Sequence, residues 1–186
     1  MKNKGFTLVE LLAMLVVLGV LMMVAIPNIS GILGNQKKNI IRNDATTMVE
    51  TAKVKVARGY EKKKKNNNEC VVMSLNYLND NDNINAGPNG GTYDEYDSFV
   101  IYKKVRVSNN NYRYDFFVRL IEKNDSYYYG IALEDIKNIT ENNNNIKKIT
   151  GYNKIVNETD SDKEAKVKAM TGSSCSSVTK YYQRES

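Results

Sequence analysis

Apolar residues crowd one end of this chain. Phe6-Thr7-Leu8-Val9-Glu10 leads into an apolar run from Leu11 to Ile26, which Pro27 closes. As a helix, positions 6–26 measure roughly 30 Å at about 1.5 Å per residue, the thickness of a bilayer's hydrocarbon core. Lys2 and Lys4 precede the run. That bias predicts a cytoplasmic N-terminus with the remainder sent outward. Beyond Pro27, Ile29, Ile32, Leu33, Ile40, Ile41, Ala45, Met48, Val49, Ala52, Val56 and Tyr60 recur mostly at three- and four-residue steps. Lys37, Lys38, Arg42, Asn43, Glu50, Lys53 and Lys55 fall largely on the other face. The pattern predicts an amphipathic helix over 28–60 that continues the apolar one and ends near Gly59. Pro27, Gly31 and Gly34 weaken the junction.

After the polar stretch 61–68 the period changes. Cys70–Leu78 fits a short strand or, in its second half, a turn of helix. Residues 79–93, rich in Asn, Asp and Gly with Pro88 inside, read as a loop. Ser98–Val107 is β-rich, and Asn109-Asn110-Asn111 is a turn. Tyr112, Tyr114, Phe116, Val118 and Leu120 then alternate with Arg113, Asp115 and Arg119. Lys123-Asn124-Asp125 makes a second turn before a strand at Tyr127–Leu133. Short turns predict an antiparallel meander, its apolar face covered by the amphipathic helix. Past Glu134 the signal weakens: a helical turn to Ile139, a loop at 142–145, helix or strand over Lys163–Met170, and an edge strand over Val178–Tyr182. The fold class is α+β.

Composition narrows the chemistry. The chain has 186 residues and no histidine, which removes the commonest general base and metal ligand. No nucleophile elbow or phosphate-binding glycine loop occurs. Asp94, Glu95 and Asp97 cluster in a loop with nothing apolar around them to raise a pKa. Asn79-Asp80-Asn81-Asp82-Asn83 imitates a calcium loop but lacks its glycine and distant glutamate, and reads as turn chemistry. No metal, cofactor or enzymatic activity is expected. The formal charge of +6 reads as Lys- and Asn-rich composition rather than as a DNA footprint, and the tyrosines as half-buried strand residues rather than a stacking platform. The two cysteines, Cys70 and Cys175, are sent to a disulfide-permissive compartment. One bond tying the C-terminal tail to the start of the domain is expected, with two unpaired thiols as the alternative.

Glu10 is the oddity. A carboxylate at the head of a membrane-length apolar run costs a few kcal/mol or more. An ordinary secretory signal does not fit, since Leu21–Pro27 offers no small-x-small cleavage site. A plain anchor gives Glu10 no role.

Lys4-Gly5-Phe6-Thr7-Leu8-Val9-Glu10-Leu11-Leu12 resembles the processing and methylation signal of type IV pilins and pseudopilins. The resemblance covers about the first 30 residues and implies a pilin-like fold. It implies cleavage between Gly5 and Phe6 by a prepilin peptidase that also N-methylates Phe6. It gives Glu10 an assembly role: neutralising the freed α-amine of a neighbouring copy as helices pack into a filament core. Pro27 falls where many members carry a helix-bending proline. The implied organisation is a leader at 1–5, a transmembrane and filament-core helix at 6–27, its amphipathic continuation at 28–60, and an extracellular globular β domain at 61–186. Implied partners are further pilin copies, the peptidase, an assembly ATPase, a platform protein and the membrane, with the cell surface or an extracellular filament as destination. Other readings are a DNA-binding minor pilin of a competence system, a type II secretion pseudopilin, and a non-polymerising membrane-anchored adhesin.

Overall fold

The long helix starts where Thr7 can cap it. The computed structural model describes residues 6–58, 69–79, 84, 86–109, 111–150, 160–172 and 175–182, without the side chains of 24–30, 160–161 and 179–182. Helix α1 runs over Leu8–Ala57, two residues short of the expected end, and Gly59 lies outside the described residues. The polar stretch 61–68 and positions 80–83 lie outside them too. The chain divides into two compact units, residues 1–37 and 38–186.

In the first unit every described side chain from Phe6 to Met23 is exposed. Among the described residues no helix is long and apolar enough to cross a membrane. The expected span 6–27 extends into positions 24–27, whose side chains lie outside the described set, as does any bend at Pro27.

In the second unit the amphipathic pattern settles what α1 buries. Ile41, Ala45, Met48, Val49 and Ala52 have no exposed surface, whereas Asn43, Thr47 and Glu50 on the other side are exposed. Thr46, Thr47 and Thr51 donate their hydroxyls to the carbonyls of Arg42, Asn43 and Thr47, so these poor helix formers are satisfied locally.

Seven described strands form one sheet: β1 (Glu69–Ser74), β2 (Thr92–Tyr93), β3 (Phe99–Ser108), β4 (Asn111–Lys123), β5 (Tyr128–Asp135), β6 (Ile146–Ile149) and β7 (Ser177–Tyr182). Its order is β6-β5-β4-β3-β1-β7, with β2 added against β4. All pairs are antiparallel except β1 with β7. The expected meander is β3-β4-β5. Both halves of the Cys70–Leu78 ambiguity are realised: Ser74 ends β1, then its hydroxyl accepts from Tyr77 N–H and caps α2 (Leu75–Leu78). The helical turn after Glu134 is α3 (Ile136–Glu141), capped by Asp135, and Lys163–Met170 lies in a helix, α4 (Asp160–Thr171).

Alternation along the strands builds two apolar layers. Val71, Met73, Val100, Tyr102, Phe116, Val118, Leu120 and Ile131 pack with α1. Cys70, Val72, Phe99 and Ile101 point the other way and pack with Val167 of α4, Cys175 and Val178. The sheet is therefore covered on both faces, not one. That corrects the reading of Arg119 as an outward residue: it is 5% exposed, and its guanidinium donates to the carbonyls of Asp97 (3.0 Å) and Ala132 (2.6 Å).

Candidate processing and assembly site

Thr7-Leu8-Val9-Glu10 folds as a capping box. Thr7 Oγ1 accepts from the Glu10 N–H at 3.3 Å. Glu10 Oε2 in return accepts from the Thr7 N–H at 2.8 Å and from the Thr7 hydroxyl at 2.9 Å. Thr7 O closes the first helical bond with Leu11 N–H. The carboxylate that stands out in the sequence thus has a partner in its own chain. Sequence reasoning missed Thr7, although the Thr-x-x-Glu spacing before an apolar run announces it. Among the described residues Oε1 of Glu10 accepts no hydrogen bond.

Around this box lies uncovered apolar surface. Phe6 is 70% exposed, and Leu8, Leu11, Leu12, Leu15, Val16 and Leu18 are each more than half exposed. Soluble monomers rarely leave so long a contiguous apolar surface bare. Gly5 lies outside the described residues, so the Gly5–Phe6 bond has no described geometry.

In the second unit Cys70 and Cys175 are bonded, their Cα atoms 5.6 Å apart across 105 residues of sequence. Both are buried.

Helix α1 is also pinned to the β2 segment. Tyr93 donates its hydroxyl to Asp44 Oδ2 at 2.7 Å. Burial raises Asp44 above the usual carboxylate range, and the Tyr93 bond pulls it partway back. Burial first, then Asp44, raise the Tyr93 phenol above its ordinary 10. A group raised in the folded state gives stability that is full below its unfolded pKa and is lost as pH climbs toward the folded one. Asp44 therefore withdraws stability as pH rises above 3.8, and Tyr93 as pH rises above 10. Asp44→Asn keeps an acceptor for Tyr93 and removes the first loss. It is expected to unfold at higher urea than wild type near neutrality, with the advantage gone below pH 3.8. Tyr93→Phe strands the half-buried carboxylate and costs about 1–3 kcal/mol. Urea titrations across pH measure both.

The acidic cluster is turn structure. Asp94 Oδ1 accepts from Tyr96 and Asp97 N–H, and Glu95 accepts from the Asn76 amide. Asn79 brackets Ile84 with its amide, accepting from the Ile84 N–H and donating to the Ile84 carbonyl.

One basic surface carries two of the strand tyrosines, each with roughly half of its surface covered, as expected from the sequence. On the β3–β4 hairpin Lys104 pairs with Tyr114 and Arg106 with Tyr112. Both tyrosines are exposed, at 46% and 41%, and Lys104 Nζ lies 4.0 Å from the Tyr112 ring centre. Asp115 is occupied by Arg113 at 3.0 Å.

No curated protein and no solved structure matches the chain. Residues 1–26 match the family model described as the prokaryotic N-terminal methylation motif, and at its N-terminus the chain thus carries the type IV pilin and pseudopilin signature.

Proposed function

We propose that this chain is a structural subunit of a type IV pilus-like filament. A prepilin peptidase cuts it between Gly5 and Phe6 and methylates Phe6, and the chain polymerises through residues 6–27. The observation that carries this reading is the methylation motif at 1–26, whose Glu10 heads an exposed apolar helix. The subunit waits in the membrane, with Lys2 and Lys4 on the cytoplasmic side and the domain outside. An assembly ATPase and a platform protein move it into the filament. Residues 38–57 of α1 packed on a largely antiparallel sheet support the reading of a pilin-like domain.

Register comes from Glu10. Oε2 is held by its own Thr7, and Oε1 meets the α-amine of Phe6 on a neighbouring copy. A charge pair in low dielectric is strongly attractive although desolvation cancels much of the gain. A slipped subunit leaves both charges unpaired, so the pair selects one alignment while apolar packing supplies most of the energy.

N-terminal mass analysis of surface protein tests the first step. Wild type is expected to begin at methylated Phe6. Gly5→Ala is expected to be cut, and Gly5→Leu to keep its leader, because a large side chain fills the space a glycine leaves at the scissile bond. Mature protein that still begins at Met1 would refute the reading.

A second reading, a DNA-binding minor pilin, is favoured by the exposed Lys104–Tyr114 and Arg106–Tyr112 pairs. It requires that single-stranded DNA binding fall steeply with salt and that Lys104→Ala with Arg106→Ala flatten the slope. Salt-independent or absent binding discards it.

A further inference from the structure

Buried Glu122 holds the one Asn-Gly pair of the sequence. Gly87-Pro88-Asn89-Gly90 is a turn closed by the Gly90 N–H on the Gly87 carbonyl at 3.3 Å. Glu122 has no exposed surface. Its Oε1 accepts from Asn89 N–H at 2.8 Å and Gly91 N–H at 3.1 Å, and its Oε2 accepts from Asn89 Nδ2 at 2.7 Å. Asn124 Nδ2 donates to the Asn89 carbonyl at 3.1 Å. Gly87 is required here, because a Cβ would collide with the Glu122 carboxylate.

An asparagine followed by glycine is chemically fragile, since no Cβ hinders the next backbone nitrogen. That nitrogen attacks the side-chain Cγ. The N–Cγ bond forms, the Cγ–Nδ2 bond breaks, and ammonia leaves with the proton of the attacking amide. Water then opens the cyclic imide at either carbonyl, giving aspartate or isoaspartate. At Asn89 this path must break the Nδ2 bond to Glu122 and free the Gly90 N–H from Gly87.

We infer that Asn89 is a latent deamidation site which the buried Glu122 carboxylate keeps silent in the folded domain. The inference stands apart from the filament reading. Conversion would set a second carboxylate against Glu122 where an amide donor was, and like charges out of water repel strongly. The 86–91 turn would leave its place beside β2, whose Tyr93 holds Asp44 of α1.

Full-length protein in detergent, aged at mildly alkaline pH and followed by peptide mass mapping, tests this. Folded wild type is expected to keep its Asn89 amide, while the same chain in denaturant converts like a free peptide of that sequence. Glu122→Gln, folded by near-UV circular dichroism, is expected to convert about tenfold faster or more, because a charge-assisted acceptor is lost. Should that variant not fold, Glu122→Asp decides: it keeps the charge but draws the carboxylate back by one methylene from Asn89, and is expected to raise the rate by a smaller factor. Conversion in folded wild type at the denatured rate overturns the inference. So does a folded Glu122→Gln, or failing that a folded Glu122→Asp, that converts no faster than wild type.

Discussion

Glu10→Ala is expected to leave the chain in the membrane and remove nearly all filament. Insertion follows from apolar length, and deleting a carboxylate makes the run a better span. In the proposed filament, assembly depends on pairing. Without Glu10 each packed copy buries a Phe6 ammonium with no partner, and breaking one side of a buried pair costs about 3–5 kcal/mol. At about 1.4 kcal/mol per tenfold, each subunit contact weakens by roughly two orders of magnitude or more. The capping box allows a sharper control. Thr7→Val removes the hydroxyl that caps the helix and helps hold Oε2, but leaves the charge for a neighbour. It is expected to cost only about 0.5–2 kcal/mol of helix stability and to reduce filament yield less. Sheared filament and membrane fractions, quantified in parallel, separate the two variants. Wild-type filament yield from Glu10→Ala would end the pairing role, and equal loss from both variants would make Glu10 a cap alone.

Much of the second unit was legible because its elements obey simple periods. The steps Ile41, Ala45, Met48, Val49, Ala52 fall on one helical face, and all five are buried. Phe116, Val118 and Leu120 alternate, and the turns before and after them are short, so β3-β4-β5 follows. What stayed hidden was non-local. β6 is four residues, Ile146–Ile149, with two lysines between its isoleucines, too short for any period to register. The β1–β7 pair is parallel and joins segments about a hundred residues apart, so no turn residue announces it. The second covered face follows from that pair, since β7 and α4 bring Val178 and Val167 onto it. Arg119 therefore falls in the polar set of the sequence alternation although it is buried, as is Glu122. At the N-terminus Glu10 was conspicuous because a charge in an apolar run has a large cost. Thr7 was overlooked because a threonine there costs nothing.

Removing the Cys70–Cys175 bond is expected to cost the domain about a third or more of its stability and to release its last elements first. The bond closes 105 residues of sequence, and in the chain-entropy picture a loop near that length is worth about 4.7 kcal/mol. Domains of this size hold about 5–15 kcal/mol in total. The loss should also be uneven. Among the described residues β7 pairs only with β1, and the layer over that face is made by Val167 and Met170 of α4 and the disulfide itself. The α1 layer shares none of these residues. Cys70→Ala with Cys175→Ala should therefore lose hydrogen-exchange protection in β7 and α4 before β3, β4 and β5, while α1 residues 41–52 stay protected. Reductant acting on wild type should reproduce that pattern slowly, because both sulfurs are buried and attack must wait for local opening. A loss under about 1 kcal/mol in urea would mean the unfolded chain gains little freedom when the link is cut. Uniform loss of protection across all strands would mean instead that β7 is as integral to the sheet as its centre.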